Sequence, residues 1–191
     1  MPSAFGLPVR SAGRYAAPPA MTLVTTLTAS ASATLSYTNF DSTNFHGYEC
    51  VMQDIVPAGA GGVDLCLEGS VDSGATYGAL WNGSVGRFYP SAWDGWTSPT
   101  AAQFIRVGIQ VTNTNVVGLN GAFRLHFGQA SSQRSVIFGS SSGFSTNNYL
   151  VFYGGYYNSA LPINALRWSF TAGGGGNITS GTIAIYGLPK S

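Results

Sequence analysis

Residues 177–191, NITSGTIAIYGLPKS, set a turn cluster ahead of one short apolar strand. In TIAIYGL, Ile183 and Ile185 alternate with Thr182, Ala184 and Tyr186, the period-two pattern of a half-buried strand. A strand in this position fixes the C-terminal segment within a sheet. If it is central, its loss would expose two neighbouring edges.

The same pattern recurs through the chain. TLVTTLT and ATLSY are short and β-branched, and in VDLCLEG residues Val63, Leu65 and Leu67 face opposite to Asp64, Cys66 and Glu68. Ile105, Val107, Ile109 and Val111 share one face of QFIRVGIQVT, as do Phe123, Leu125 and Phe127 of AFRLHFG. RSVIFGS, NYLVFYGGYY and NALRWSF complete about nine or ten strands, with no competing helical period and no tandem repeat. The reading is all-β: an antiparallel β-sandwich or jelly roll over residues 21–191, preceded by an extended Pro-rich arm over residues 1–20.

At 191 residues the chain suits one domain, able to bury roughly 70% of its unfolded surface without disulfides. Only 8% of residues are charged, so the surface is polar but nearly uncharged. A net charge of +1 from scattered arginines provides no basic stripe, which argues against nucleic acid and against electrostatic membrane attachment. No apolar run reaches the length of a spanning helix, and MPSAFGLPVRSAGRYAAPPAM contains no signal-like core; the expectation is a product made in the cytoplasm of its host. Cys50 and Cys66 fall on neighbouring strands around VPAGAGG and would face one another in a hairpin centred on Ala58; reduced, packed thiols are the expectation for a cytosolic product.

The arm carries Pro2, Pro8, Pro18 and Pro19, with Phe5, Arg10 and Arg14 as its anchoring candidates. Such a composition builds no core of its own and is suited to lying on a partner. Residues 73–100 hold three of the four tryptophans, Trp81, Trp93 and Trp96, in a stretch with little periodicity, read as a long decorated loop or irregular ribbon.

No catalytic cluster assembles. His46, Cys50 and Asp54 share a strand face, but residues four apart on a strand are about 13 Å apart, beyond the reach of nucleophile and base. His126 reads as a surface or interface residue. Asp64, Glu68 and Asp72 read as arginine partners or turn caps, because they lack calcium-loop spacing. The glycines at 173–176 precede neither a helix nor Lys-Ser/Thr, so they form no phosphate cradle. No cofactor or metal is expected. SAWDGWTSP is the best stretch for recognising a sugar or peptide, with burial at a sandwich end or interface as the simpler account. The same choice applies to Tyr153, Tyr156 and Tyr157 of YLVFYGGYY.

Two stretches carry a resemblance. INALRWSFTAGGGGNITSGTIAIYGL, residues 163–188, is similar to the C-terminal motif of a broad group of tailed-bacteriophage virion proteins: an N-a-hydrophobic-R strand, a Gly/Ser turn, and an I-x-S-G-T strand ending in Y-G. YECVMQDIVPAGAGGVDLCLEGSVDSGATY, residues 48–77, resembles the group's earlier hairpin: a strand, P-x plus glycines, a second strand, then a D-x-G-x-T-Y turn. The two cysteines and the tryptophan-rich stretch depart from that pattern. The resemblance implies a jelly-roll virion component and a commonly trimeric assembly. Within the group it leaves open a capsid decoration or head-fibre protein, joined by its arm to major capsid or tail proteins, and a tail-associated, receptor-binding adhesin for host surface glycan. Aromatic content of 13% beside so little charge places some rings between subunits, and the resemblance makes that assembly a homotrimer.

Overall fold

The computed structural model describes residues 20–78, 81–88, 93–97, 104–114, 118–127, 134–144, 148–172 and 176–190; for 93–97, 144, 148, 149, 171 and 172 it describes the backbone alone. The arm candidates Pro2, Phe5, Pro8, Arg10, Arg14, Pro18 and Pro19 lie outside the described residues. In chain order the strands are β1 (Thr22–Thr28), β2 (Leu35–Tyr37), β3 (Phe45–Pro57), β4 (Val63–Ser70), β5 (Trp81–Phe88), β6 (Trp93–Thr97), β7 (Ile105–Val111), β8 (Leu119–His126), β9 (Val136–Phe144), β10 (Asn148–Tyr157), β11 (Ala165–Ala172) and β12 (Ile178–Pro189).

One sheet runs β1-β12-β3-β8-β9-β10-β5-β6 and the other β2-β11-β4-β7. Every pairing is antiparallel. Setting aside β5–β6 and β9–β10 leaves two four-stranded sheets, β1-β12-β3-β8 against β2-β11-β4-β7. Along those eight strands the chain changes sheet at every connection but one, from β4 to its partner β7. That wrapping is a double Greek key, a jelly roll. The two remaining pairs are insertions, and both extend the same sheet beyond β8. β12 sits between β1 and β3, the central position its alternation allows.

Buried residues of both sheets fill the space between them. Trp168 of β11 meets Phe123 of β8 at 6.1 Å between ring centroids. The Ser141 hydroxyl of β9 donates to the Val107 carbonyl of β7 at 2.6 Å, a hydrogen bond across the sandwich. Gly83 and Gly155 are cross-strand neighbours, and a Cβ on either would approach Ile105 Cδ1 of β7 at 3.2 and 2.9 Å. The isoleucine therefore seats on bare backbone, and side-chain alternation is invisible in this part of the sequence.

Two expectations are corrected here. VPAGAGG is not a hairpin, because β3 and β4 belong to different sheets. Two strands that each have one apolar face can bury them in the same sheet or fold over a corner to face one another, and alternation does not distinguish these. Consequently Cys50 lies opposite Ile185 and Phe123, while Cys66 lies opposite Ser169 and Arg106. Both are buried thiols outside any disulfide. Residues 81–88 and 93–97, expected within a loop, are strands β5 and β6. Glycine at 83, 86 and 95 removes the periodic signal there.

Candidate functional site

The acids are committed to local structure. Asp64 pairs with Arg106 at 3.1 Å and Glu68 holds Arg167 through two contacts of 2.7 and 3.0 Å. The Arg167 guanidinium also lies 4.2 Å from the Tyr77 ring centroid. Asp72 accepts hydrogen bonds from the Ser70 hydroxyl and from the backbone N–H and hydroxyl of Thr76. Asn164 ties this turn to β11, donating to the Val71 carbonyl at 3.0 Å and accepting from the Ser73 N–H at 2.8 Å.

These bonds to the ionised form, from Ser70 first and then Thr76, pull the Asp72 carboxyl down from 3.8 to about 2. A depressed folded-state value stabilises the turn above the unfolded value and loses that contribution as pH falls through the folded one. Between pH 3.8 and about 2 Asp72 should stay ionised in the folded chain, and an NMR titration of its carboxyl carbon reads this directly. A midpoint near 3.8 would contradict the capping geometry.

His46, Cys50 and Asp54 do not converge. Cys50 is buried in the core, and burial pushes its thiol pKa up. His46 Nδ1 lies 2.9 Å from the Pro189 carbonyl, and Asp54 is engaged with Asn120 through its backbone N–H. His126 stacks on Phe138, centroids 5.5 Å apart with planes 6° from parallel, and lies 5.9 Å from the His46 ring. Burial, then His46 and Arg124, lower its pKa. Among the described residues no group of three His, Cys, Asp or Glu side chains is placed to hold a metal ion.

The aromatic candidates separate. Trp81 is 0% exposed and meets Tyr157 edge-to-face at 5.1 Å. Tyr157 donates its hydroxyl to the Gly69 carbonyl at 3.1 Å, joining the sheets. Tyr153 is buried too, so these three are core residues, not a ligand surface. Tyr156 is exposed, with Arg134 4.9 Å from its ring centroid. Trp93 and Trp96 lie on β6, and their side chains lie outside the described residues.

A different surface stands out. On the outer face of the larger sheet, Phe138 (50% exposed), Phe152 (45%), Phe88, Leu150, Val136 and Tyr156 are exposed together. They come from β9, β10 and β5, which register places side by side. Phe88 and Phe152 meet edge-to-face at 5.8 Å. Between the Phe138 and Phe152 rings lies an open hollow of about 860 Å³, also lined by the small residues Gly86, Ala122 and Gly154 and, on one side, by the Glu49–Arg124 ion pair of 2.8 Å. None of these phenylalanines stands out in the sequence. The available signal is that YLVFYGGYY is apolar on both faces, as a strand covered on both sides would be.

Comparison with protein-family models, with curated proteins and with solved structures returns no match.

Proposed function

We propose that this chain is a non-enzymatic structural protein of a phage virion, a capsid decoration or head-fibre component joined to the particle by its N-terminal arm and assembled as a homotrimer. The observation that carries the assembly is the outer face around Phe138 and Phe152, a concentration of exposed rings that monomers seldom leave in water. The virion setting rests on the resemblance of residues 48–77 and 163–188 to tailed-phage proteins. The jelly roll agrees with it but also serves lectins, so the fold alone does not choose.

Antibody labelling of intact particles tests the setting. Deleting residues 2–19 should abolish incorporation while the far-UV β spectrum is retained. Normal incorporation of the truncated chain would refute an anchoring arm. The receptor-binding alternative is favoured by the phenyl rings beside the Glu49–Arg124 pair, a combination able to stack on a sugar and bond its hydroxyls. Saturable binding on a glycan array, lost on Phe138→Ser, would move the function there.

A further inference from the structure

The larger sheet exposes apolar side chains at two separated places. One is the face around the hollow on β9, β10 and β5. The other is the start of β1, where Met21, Leu23 and Val24 are all exposed. One continuous row of paired residues, Leu23, Tyr186, Glu49, Arg124 and Phe138, connects the two places across the sheet. From β1 to β9 is four strand spacings, about 19 Å. Pairing with β12 fixes β1 there, so within one molecule the two patches cannot cover each other. A second copy can bring them together.

Nineteen residues precede Ala20 in the sequence, next to the start of β1. Phe5, Leu7 and Val9 occupy alternate positions, so an extended arm places them on one side, and Arg10 follows at once. Two of the chain's eight basic residues lie in the arm and all seven acids lie after it, so the remainder carries six against seven and a net charge of −1. The arm is cationic and the body slightly anionic, and the hollow itself is lined by the Glu49–Arg124 pair. The eleven residue steps from Val9 to Ala20 can span about 36 Å, enough to cross from a neighbour's β1 edge to the hollow.

We propose that Phe5–Val9 of each copy lies in the hollow of the next, with Arg10 beside Glu49 and the Met21–Val24 edge against Leu150 and Phe88. The contact uses two different surfaces of one chain, so it is head-to-tail, and three copies close it into a ring. It deepens the homotrimer reading and assigns Phe5–Arg10 to the contact between copies, not to the particle; particle labelling decides the virion setting separately.

Gly154→Leu supplies the test. Among the described residues a Cβ at Gly154 meets nothing nearer than 3.4 Å, so the backbone has room for a side chain there, and a leucine extends into the hollow that Gly154 lines. By light scattering the full chain should have three times its 19.9 kDa mass, while Gly154→Leu and the arm variant Phe5→Ser/Leu7→Ser should each be monomers with unchanged circular dichroism. Mixing the two variants in equal amounts should give a dimer, because one intact arm finds one intact hollow and the second contact is missing. A fluorescent peptide of residues 1–20 should bind the arm variant and not the arm variant that also carries Gly154→Leu. If Gly154→Leu fails to fold, Phe152→Ser takes its place. A monomeric full chain, trimers that persist in either variant, or a mixture that stays monomeric would each overturn the exchange.

Discussion

Alanine at Gly181 should destabilise the domain by about 4 kcal/mol, combining about 1–3 for its backbone conformation with about 1–3 for displaced neighbours. Gly181 has φ +116°, and a Cβ there would sit 2.6 Å from the Asp54 carbonyl oxygen. Asp54 itself has φ +51° and marks an irregular register of β3 against both β12 and β8. Gly118 presses on the same peptide from the other side, at 2.4 Å for a hypothetical Cβ, and Asn120 accepts the Asp54 N–H at 3.1 Å. Neither neighbour can retreat without breaking a sheet ladder. Gly176 is the control. Its φ is also positive, at +61°, but among the described residues a Cβ there meets Ala58 Cβ at 3.6 Å and nothing nearer, so alanine should cost about 1–2 kcal/mol. Urea denaturation of both variants separates backbone strain from crowding. Equal costs would mean that the Asp54 bulge adjusts freely, and would remove this account of the S-G-T motif.

The residues that carry the phage resemblance act largely on the frame. Asn164 clamps the Val71–Ser73 turn, Arg167 pairs with Glu68, and Asp72 caps Thr76. Gly187 makes room for the Phe45 ring, which a Cβ would meet at 2.3 Å. Motifs of this kind make a jelly roll legible because backbone geometry constrains them wherever the fold is used, and for the same reason they are silent about what the molecule binds. The inward rows of β4, β7, β8 and β12 were readable because each alternates apolar with polar residues. The assignment of β3 and β4 to different sheets was not, since alternation reports a face and never a partner. β5 was hidden by Gly83 and Gly86. The outer face of β10 was hidden for a different reason: Leu150, Phe152 and Tyr156 look no different in sequence from their buried neighbours Val151, Tyr153 and Tyr157. Only register shows which set the core has claimed.

Adjacent residues of β10 should therefore give opposite phenotypes. Tyr153 is 4% exposed, meets Phe123 at 6.4 Å and directs its hydroxyl toward the Ala122 carbonyl at 3.4 Å. Replacing it with alanine leaves a ring-sized cavity between the sheets and should cost about 3–5 kcal/mol, a large share of the roughly 5–15 kcal/mol that holds a domain together. Phe152, its neighbour, is half exposed, and among the described residues its ring contact is the edge-to-face one with Phe88, so serine there should cost about 1 kcal/mol or less. Its effect falls on assembly. The Phe152 ring is one wall of the hollow, and without it an apolar segment from another copy loses a face to pack on. The Phe152→Ser chain should scatter light as a monomer and unfold at nearly the urea concentration of the Gly154→Leu monomer, which likewise lacks the contribution of assembly. Tyr153→Ala should lose stability first and assembly only as a consequence, recovering the trimer in a stabilising co-solvent that restores folding. A trimeric Phe152→Ser chain of parental stability would show that the outer face of β10 is an ordinary solvated surface, and the subunit contacts would have to be sought elsewhere on the sandwich.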